Sequence, residues 1–109
     1  MNEIIGRPMS SVEFVQDYIQ FRFDGPCLTT LTLPSLKRPG EVVGAADQGY
    51  RDDLCSQIGI QVEMVEVSDT ELIVRFMNSV AIIVSLRDEH YTGPEAINYV
   101  GENGVWIVV

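Results

Sequence analysis

The side chain in this sequence that could take part in the most kinds of catalytic chemistry is His90, the only histidine among the 109 residues. Glu89 and Glu95 are carboxylates that could orient its ring, and Ser85 and Tyr91 are nearby hydroxyls that it could activate. Catalysis would require His90 to lie in a cleft within hydrogen-bond reach of such a group. The chain has no G-x-S-x-G pattern, and a lone loop histidine is more often a surface or capping residue. We therefore predict that the protein is not an enzyme and has no catalytic residue.

Metal and cofactor sites need residue sets that this chain lacks. Cys27 and Cys55 are its only cysteines; with one histidine they are too few for a zinc site, and we expect both to pack as small apolar side chains. A disulfide between them stays open, although their spacing does not suggest one. Glycine-rich phosphate loops and the alternating ligand spacing of a calcium loop are also missing from the sequence. The sequence predicts no metal and no cofactor.

The charge balance restricts the partners. Sixteen acidic residues against seven basic ones give a formal net charge of −9, which opposes binding to nucleic acid and to anionic membranes. Apolar runs such as residues 80–84 are only five residues long, too short to span a bilayer. The N-terminus shows no secretion signal, so a cytoplasmic location is expected.

An internal repeat organises the chain. Residues 5–33 align without a gap on residues 58–86, at a shift of 53 residues. Apolar and polar residues alternate with period two in both copies, as is typical of β-strands. We predict one domain over residues 1–109, in which two three-stranded antiparallel meanders share a core. Seven of the 29 aligned pairs are identical: Ile5/Ile58, Gly6/Gly59, Val12/Val65, Glu13/Glu66, Arg22/Arg75, Phe23/Phe76 and Leu33/Leu86.

The two copies differ in the faces that they turn away from the core. In the third strand of the first copy, the alignment predicts that Cys27, Thr29, Leu31 and Leu33 point inward. The outward face of this copy is then polar: Glu13, Tyr18, Gln20, Arg22, Thr30 and Thr32. The outward face of the second copy is apolar instead: Met64, Ile73, Ala81 and Ile83. An apolar face needs a cover, for which the candidates are the helix, the C-terminal hairpin, a second copy of the chain or another partner.

The remaining segments complete a mainly β fold. Between the copies we predict a turn at residues 37–40 and a short helix over residues 45–57, with Asp47 as N-cap and Tyr50, Leu54 and Ile58 as its apolar stripe. Residues 96–100 and 105–109 flank an Asn-Gly step and predict a C-terminal β-hairpin, anchored by Tyr99 and Trp106. The fold class is therefore mainly β with one helix, arranged as a sandwich or a partly open barrel.

Acidic residues gather around the helix and after the second copy. Such clusters usually solubilise a surface, but they also complement a basic partner, such as a nuclease whose cleft is cationic. The candidate partner-binding residues are Asp52, Asp53, Asp88, Glu89 and Glu95. The sequence thus favours a non-catalytic acidic binding protein. The alternative is a small-ligand-binding or regulatory module with a pocket between the two meanders.

A resemblance points in the same direction. The pattern Ile-Gly-x-x-Met/Val-x-x-Val-Glu, which begins at Ile5 and at Ile58, is followed in both copies by a strand ending in Arg-Phe. This pattern and residues 85–96 resemble a small bacterial family of unknown function. In size, acidity and β content that family is similar to immunity proteins of toxin systems, including contact-dependent inhibition. The resemblance implies a partner such as a basic nuclease-like toxin domain and brings no catalytic residues with it.

Overall fold

Two antiparallel five-stranded sheets form a sandwich in this computed structural model, which describes residues 1–90, 95–102, 104 and 106–108. The strands in chain order are β1 (Ser11–Val15), β2 (Tyr18–Arg22), β3 (Cys27–Thr30), β4 (Ser35–Arg38), β5 (Glu41–Val43), β6 (Val62–Val67), β7 (Glu71–Phe76), β8 (Ala81–Ser85), β9 (Ile97–Val100) and β10 (Trp106–Val108). The first sheet has the order β1-β2-β3-β9-β10 and the second β5-β4-β8-β7-β6. The predicted meanders, β1-β2-β3 and β6-β7-β8, are confirmed, as is the C-terminal hairpin β9-β10.

One core lies between the sheets, and both copies contribute to it. Burial of these side chains removes apolar surface from water, which is the dominant favourable term in folding. Neither meander could bury such a face alone. The fully buried members include Phe21, Phe23 and Leu28 from the first copy and Leu72, Val74, Phe76 and Val84 from the second.

The segments that precede the two meanders cross each other with a reciprocal set of hydrogen bonds. The Gly6 N–H donates to the Val62 carbonyl (2.8 Å), and the Gly59 N–H donates to the Met9 carbonyl (2.7 Å). Gly59 is the repeat counterpart of Gly6, and Val62 is the repeat counterpart of Met9. Each of the two hydrogen bonds is therefore the repeat counterpart of the other. Pro8 and Gln61, which are also repeat counterparts, face each other at the centre. Such reciprocal bonds are the pattern of a twofold interface, here formed within one chain.

Each hairpin joins the sheet of the other copy. The pair β4-β5 follows the first meander but adds to β8 of the second, whereas β9-β10 follows the second meander but adds to β3 of the first. The sequence patterns did not predict β4 and β5. These strands are three or four residues long and include Lys37, Arg38 and Glu41, so they show little alternation.

The helix is shorter than predicted. α1 spans Tyr50–Cys55 and begins after Gly49; Asp47 is not its N-cap, because its carboxylate accepts the Gly44 N–H (2.7 Å) and closes a turn upstream. Tyr50 and Leu54 are buried as predicted, but Ile58 is 44% exposed, because the chain has left the helix to pair with Met9. Two short 3₁₀ turns, Asn2–Ile4 and Asp88–His90, complete the described helices, none of which is long and apolar enough to cross a membrane.

The inward and outward assignment of β3 was wrong. Leu28, Thr30 and Thr32 are buried, and Leu33 is 56% exposed. The turn before β8 is one residue longer than the turn before β3, since the Phe76 N–H bonds to Val80 whereas the Phe23 N–H bonds to Pro26. A gapless alignment therefore misaligns the third strands by one residue, which inverts every side chain of a strand. The buried threonine hydroxyls are satisfied: Thr30 donates to the Ile19 carbonyl and Thr32 to the Ser85 carbonyl.

Candidate functional site

His90 is fixed at the end of β8 by a local network. The backbone N–H of His90 donates to the Arg87 carbonyl (3.0 Å), and this bond closes the 3₁₀ turn Asp88–His90. The Ser85 hydroxyl oxygen accepts the Arg87 N–H (3.3 Å) and lies 2.6 Å from Nδ1 of His90. The hydroxyl and Nδ1 are within hydrogen-bond distance, and the tautomer of the ring decides which of the two donates.

A cleft of about 380 Å³ opens beside this pair; we call it the serine cleft. Thr32 contributes from the segment after β3, whereas Thr70, Glu71 and Ile83 contribute from the second copy. The serine cleft therefore lies on the boundary between the two repeats. Its lining combines hydroxyls, charged groups and few apolar side chains, while the space between the sheets holds the core. The ligand-module alternative stays a hypothesis.

A second cleft, of about 650 Å³, lies on the other side of His90; we call it the leucine cleft. Its walls come from the β1–β2 turn, with Gln16 and Asp17, and from the segment 31–33 after β3. Leu33 presents its apolar side chain there, and it also borders the serine cleft. The imidazole of His90 thus stands between two open clefts that share a wall.

The Ser85–His90 pair has the distance of a nucleophile and its base. A reaction centre would also need a group that orients the other ring nitrogen. Among the described residues, no carboxylate hydrogen-bonds to Nε2 of His90, and the serine oxygen is engaged by the Arg87 N–H. The pair ties the 3₁₀ turn to β8, and the absence of catalysis stays a prediction.

The candidate partner-binding carboxylates fall into two groups on separate elements. Asp52 and Asp53 lie on α1, where Asp52 is exposed but Asp53 pairs with Nη1 of Arg38 at 3.2 Å. Glu89 lies exposed in the 3₁₀ turn that carries His90, and Glu95 is half-buried. The side chain of Asp88 lies outside the described part of the structure, as do Tyr91 and the side chain of Trp106.

Sequence reasoning missed two residues of the leucine cleft. Asp17 belongs to a turn between strands, and Leu33 was expected to point into the core. They meet His90, more than fifty residues away in the chain, only because the ends of β3 and β8 lie side by side. Nothing in the residue types or spacing indicates that meeting.

A second polar network ties the chain start to the C-terminal hairpin. The carboxylate of Glu3 accepts hydrogen bonds from the hydroxyl of Tyr99, which is buried as predicted, and from the Glu102 N–H. The Glu102 carboxylate pairs with Nη2 of Arg7 at 2.6 Å. The hydrogen bond from Tyr99 lowers the pKa of Glu3, and burial together with the same bond raises the pKa of Tyr99. The network holds the start of the chain against β9 and the residues that follow it.

Removal of this hydrogen bond should weaken the fold at neutral pH. We expect Tyr99→Phe to lower the free energy of unfolding by about 1 kcal/mol, the typical net value of one hydrogen bond. The lowered pKa of Glu3 adds stability above the ordinary carboxyl value of 4.5, and this contribution is lost as the pH falls below it. Glu3→Gln should therefore flatten the acid side of a stability profile measured by urea unfolding. Tyr18→Phe is the matched control for Tyr99→Phe. If Glu3→Gln had the same pH profile of stability as the unmodified protein, the role of Glu3 would be contradicted.

Comparisons with known proteins add no family. No protein-family model matches this chain, and neither a curated protein nor a solved structure gives a significant match. Among the described residues, no three histidine, cysteine or acidic side chains are grouped to hold a metal. The fold and the clefts thus define a β-sandwich with two exchanged hairpins and two clefts beside His90, and its function has to be argued from these features.

Proposed function

We propose that this protein is a non-catalytic acidic binding protein that docks on a basic protein through the leucine cleft. Within that class we propose an immunity protein, which neutralises a basic, nuclease-like toxin domain. The observation that carries the proposal is the composition of the cleft. Leu33 is a large apolar side chain in open contact with solvent, Asp17 lines the same cleft, and Glu89 is exposed in the 3₁₀ turn that carries His90. An apolar centre with a charged rim is the usual anatomy of a protein interface.

The charge of the molecule supports a cationic partner. Within the described residues, Glu41, Asp53 and Glu102 are the carboxylates that form salt bridges. Asp17, Asp52 and Glu89 form none there, so their charge remains available. At a net charge of −9, the field accelerates the encounter with a basic partner, and single buried carboxylates in such complexes contribute much of the affinity.

The proposal is tested with the protein encoded beside this one in its genome. We expect that neighbour to be basic, to arrest growth when expressed alone and to be harmless when co-expressed with this chain. Isothermal titration should give a complex that survives moderate salt. Leu33→Asp and Asp17→Lys should each raise Kd about tenfold or more, which corresponds to about 1.4 kcal/mol.

The matched control is Val42→Asp, which, like Leu33→Asp, places a carboxylate at an exposed apolar residue. Val42 lies on β5, in the other sheet. It should leave the Kd unchanged. No complex at micromolar concentration, or a Leu33→Asp variant that binds like the unmodified protein, would refute the proposal.

A further inference from the structure

The outer face of the second sheet is only partly covered within the described chain. Because side chains alternate along a strand and Leu72, Val74 and Phe76 point into the core, Ile73 and its neighbours point outward. α1 packs against β1 and β4, and the C-terminal hairpin extends the first sheet. Neither of these two candidate covers therefore shields the face. Its apolar members are the predicted set Met64, Ile73, Ala81 and Ile83, of which Ala81 is buried, Ile73 and Ile83 are half-buried and Met64 is 39% exposed.

Two opposite charges flank the apolar pair at the centre of this face, and the exposed Glu66 lies beside that pair on the edge strand β6. Ile73 pairs directly with Ile83, and this pair forms the centre. Glu71 lies on one side of the pair, opposite Ser85, and Arg75 lies on the other side, opposite Ala81. Four residues of a strand separate Glu71 from Arg75 by about 13 Å, too far to pair with each other. Both are half-buried and form no salt bridge with another described residue.

We propose that a second copy of this chain covers the face, in a symmetric dimer whose twofold axis runs along the Ile73–Ile83 row. Rotation about that axis places Ile73 on the partner's Ile73 and Arg75 opposite the partner's Glu71. The symmetry repeats the ion pair, so one face supplies both halves of two contacts. The same rotation brings Glu66 opposite the partner's Glu66 at the edge strand β6, outside these two contacts. Stacked sheets lie about 10 Å apart, a gap that arginine and glutamate side chains span from opposite sides.

The first sheet supplies an internal comparison. A shift of 53 residues places Tyr18, Gln20 and Arg22 where the second sheet has Glu71, Ile73 and Arg75. The first sheet thus keeps the arginine but lacks both its acidic counterpart and the apolar centre. Only the second sheet carries an acidic and a basic side chain on the two sides of an apolar pair, which argues against a general tendency of these sheets to stack.

Sedimentation equilibrium over a range of protein concentrations tests the proposal. The unmodified protein should show twice the 12.2 kDa mass of one chain. Arg75→Glu and Glu71→Arg should each raise the dimer dissociation constant at least tenfold, because each places like charges opposite each other twice. The double variant Arg75→Glu/Glu71→Arg should restore the dimer, since the pairs re-form with exchanged signs. Circular dichroism confirms that each variant is folded.

Arg22→Glu is the matched control, with the same charge change at the equivalent position of the first sheet. It should leave the dissociation constant unchanged. A chain that is monomeric at about 200 µM, a double variant that stays monomeric, or an Arg22→Glu variant that dissociates equally would overturn the proposal. The dimer does not depend on the basic partner: Asp17→Lys tests that function separately, because Asp17 lies on the β1–β2 turn of the first sheet and does not line the serine cleft.

Discussion

Replacement of Phe76 by alanine should lower the free energy of unfolding by about 3–5 kcal/mol, the usual cost of emptying a buried aromatic site. Phe76 has no exposed surface, and the same is true of its repeat counterpart Phe23. Because the two rings fill one core from opposite sheets, Phe23→Ala should cost a similar amount. Small domains are stable by only about 5–15 kcal/mol, so either cavity removes a large share of that margin. Urea unfolding followed by circular dichroism measures both.

Met77→Ala is the control for these cavities, since Met77 follows Phe76 directly but is exposed. Its effect should stay within about 0.5 kcal/mol, as is usual for surface positions. If Phe76→Ala does not fold, Phe76→Leu should show a smaller loss in the same direction. A loss below about 1 kcal/mol for Phe76→Ala would show that the shared core is not the main source of stability.

Substitution of Gly6 or Gly59 by alanine should cost about 1–2 kcal/mol each, the penalty of a left-handed backbone for a residue with a Cβ atom. Their φ angles are +86° and +92°, and each glycine donates a hydrogen bond to the other copy at the crossing. A Cβ atom at either position would meet no atom within 4 Å, so the cost comes from the backbone alone. Thermal or urea unfolding of the two single variants should give similar losses.

Gly44→Ala provides the contrast, because the φ angle of Gly44 lies outside the left-handed region and a Cβ there makes only ordinary contact. We expect little change or a small gain in stability from this variant. Equal losses in all three variants would contradict the conformational explanation.

The regular alternation of the repeat made most of the fold predictable. Residues 18–22 and 71–76 show the period of two over enough positions to predict both strands and their buried faces. The meanders and the C-terminal hairpin followed from that period and from the turn residues between the strands. The prediction failed where the signal was short. β4 and β5 have too few residues to show a period, and one extra residue in the turn before β8 inverted the expected faces of β3.

The candidate site was predictable only in part. His90 could be singled out because it is the only histidine, and Ser85 because it is close in the chain. The neutralisation of Asp53 by Arg38 could not be foreseen, since it depends on how α1 packs beside β4. The position of Leu33 at the edge of two clefts depends on the phase of β3, which the alignment misassigned.

By itself the sequence determined the repeat, the strand-forming alternation, the acidic charge and the lack of recognisable metal or cofactor motifs. These are properties of residue type and local spacing, and they do not depend on contacts between segments that are distant in the chain. Only the tertiary structure decided the exchange of hairpins between the sheets, the two clefts around His90 and the uncovered face of the second sheet. Each of these arises where segments distant in the chain meet, and such meetings depend on turn lengths and packing rather than on any local pattern.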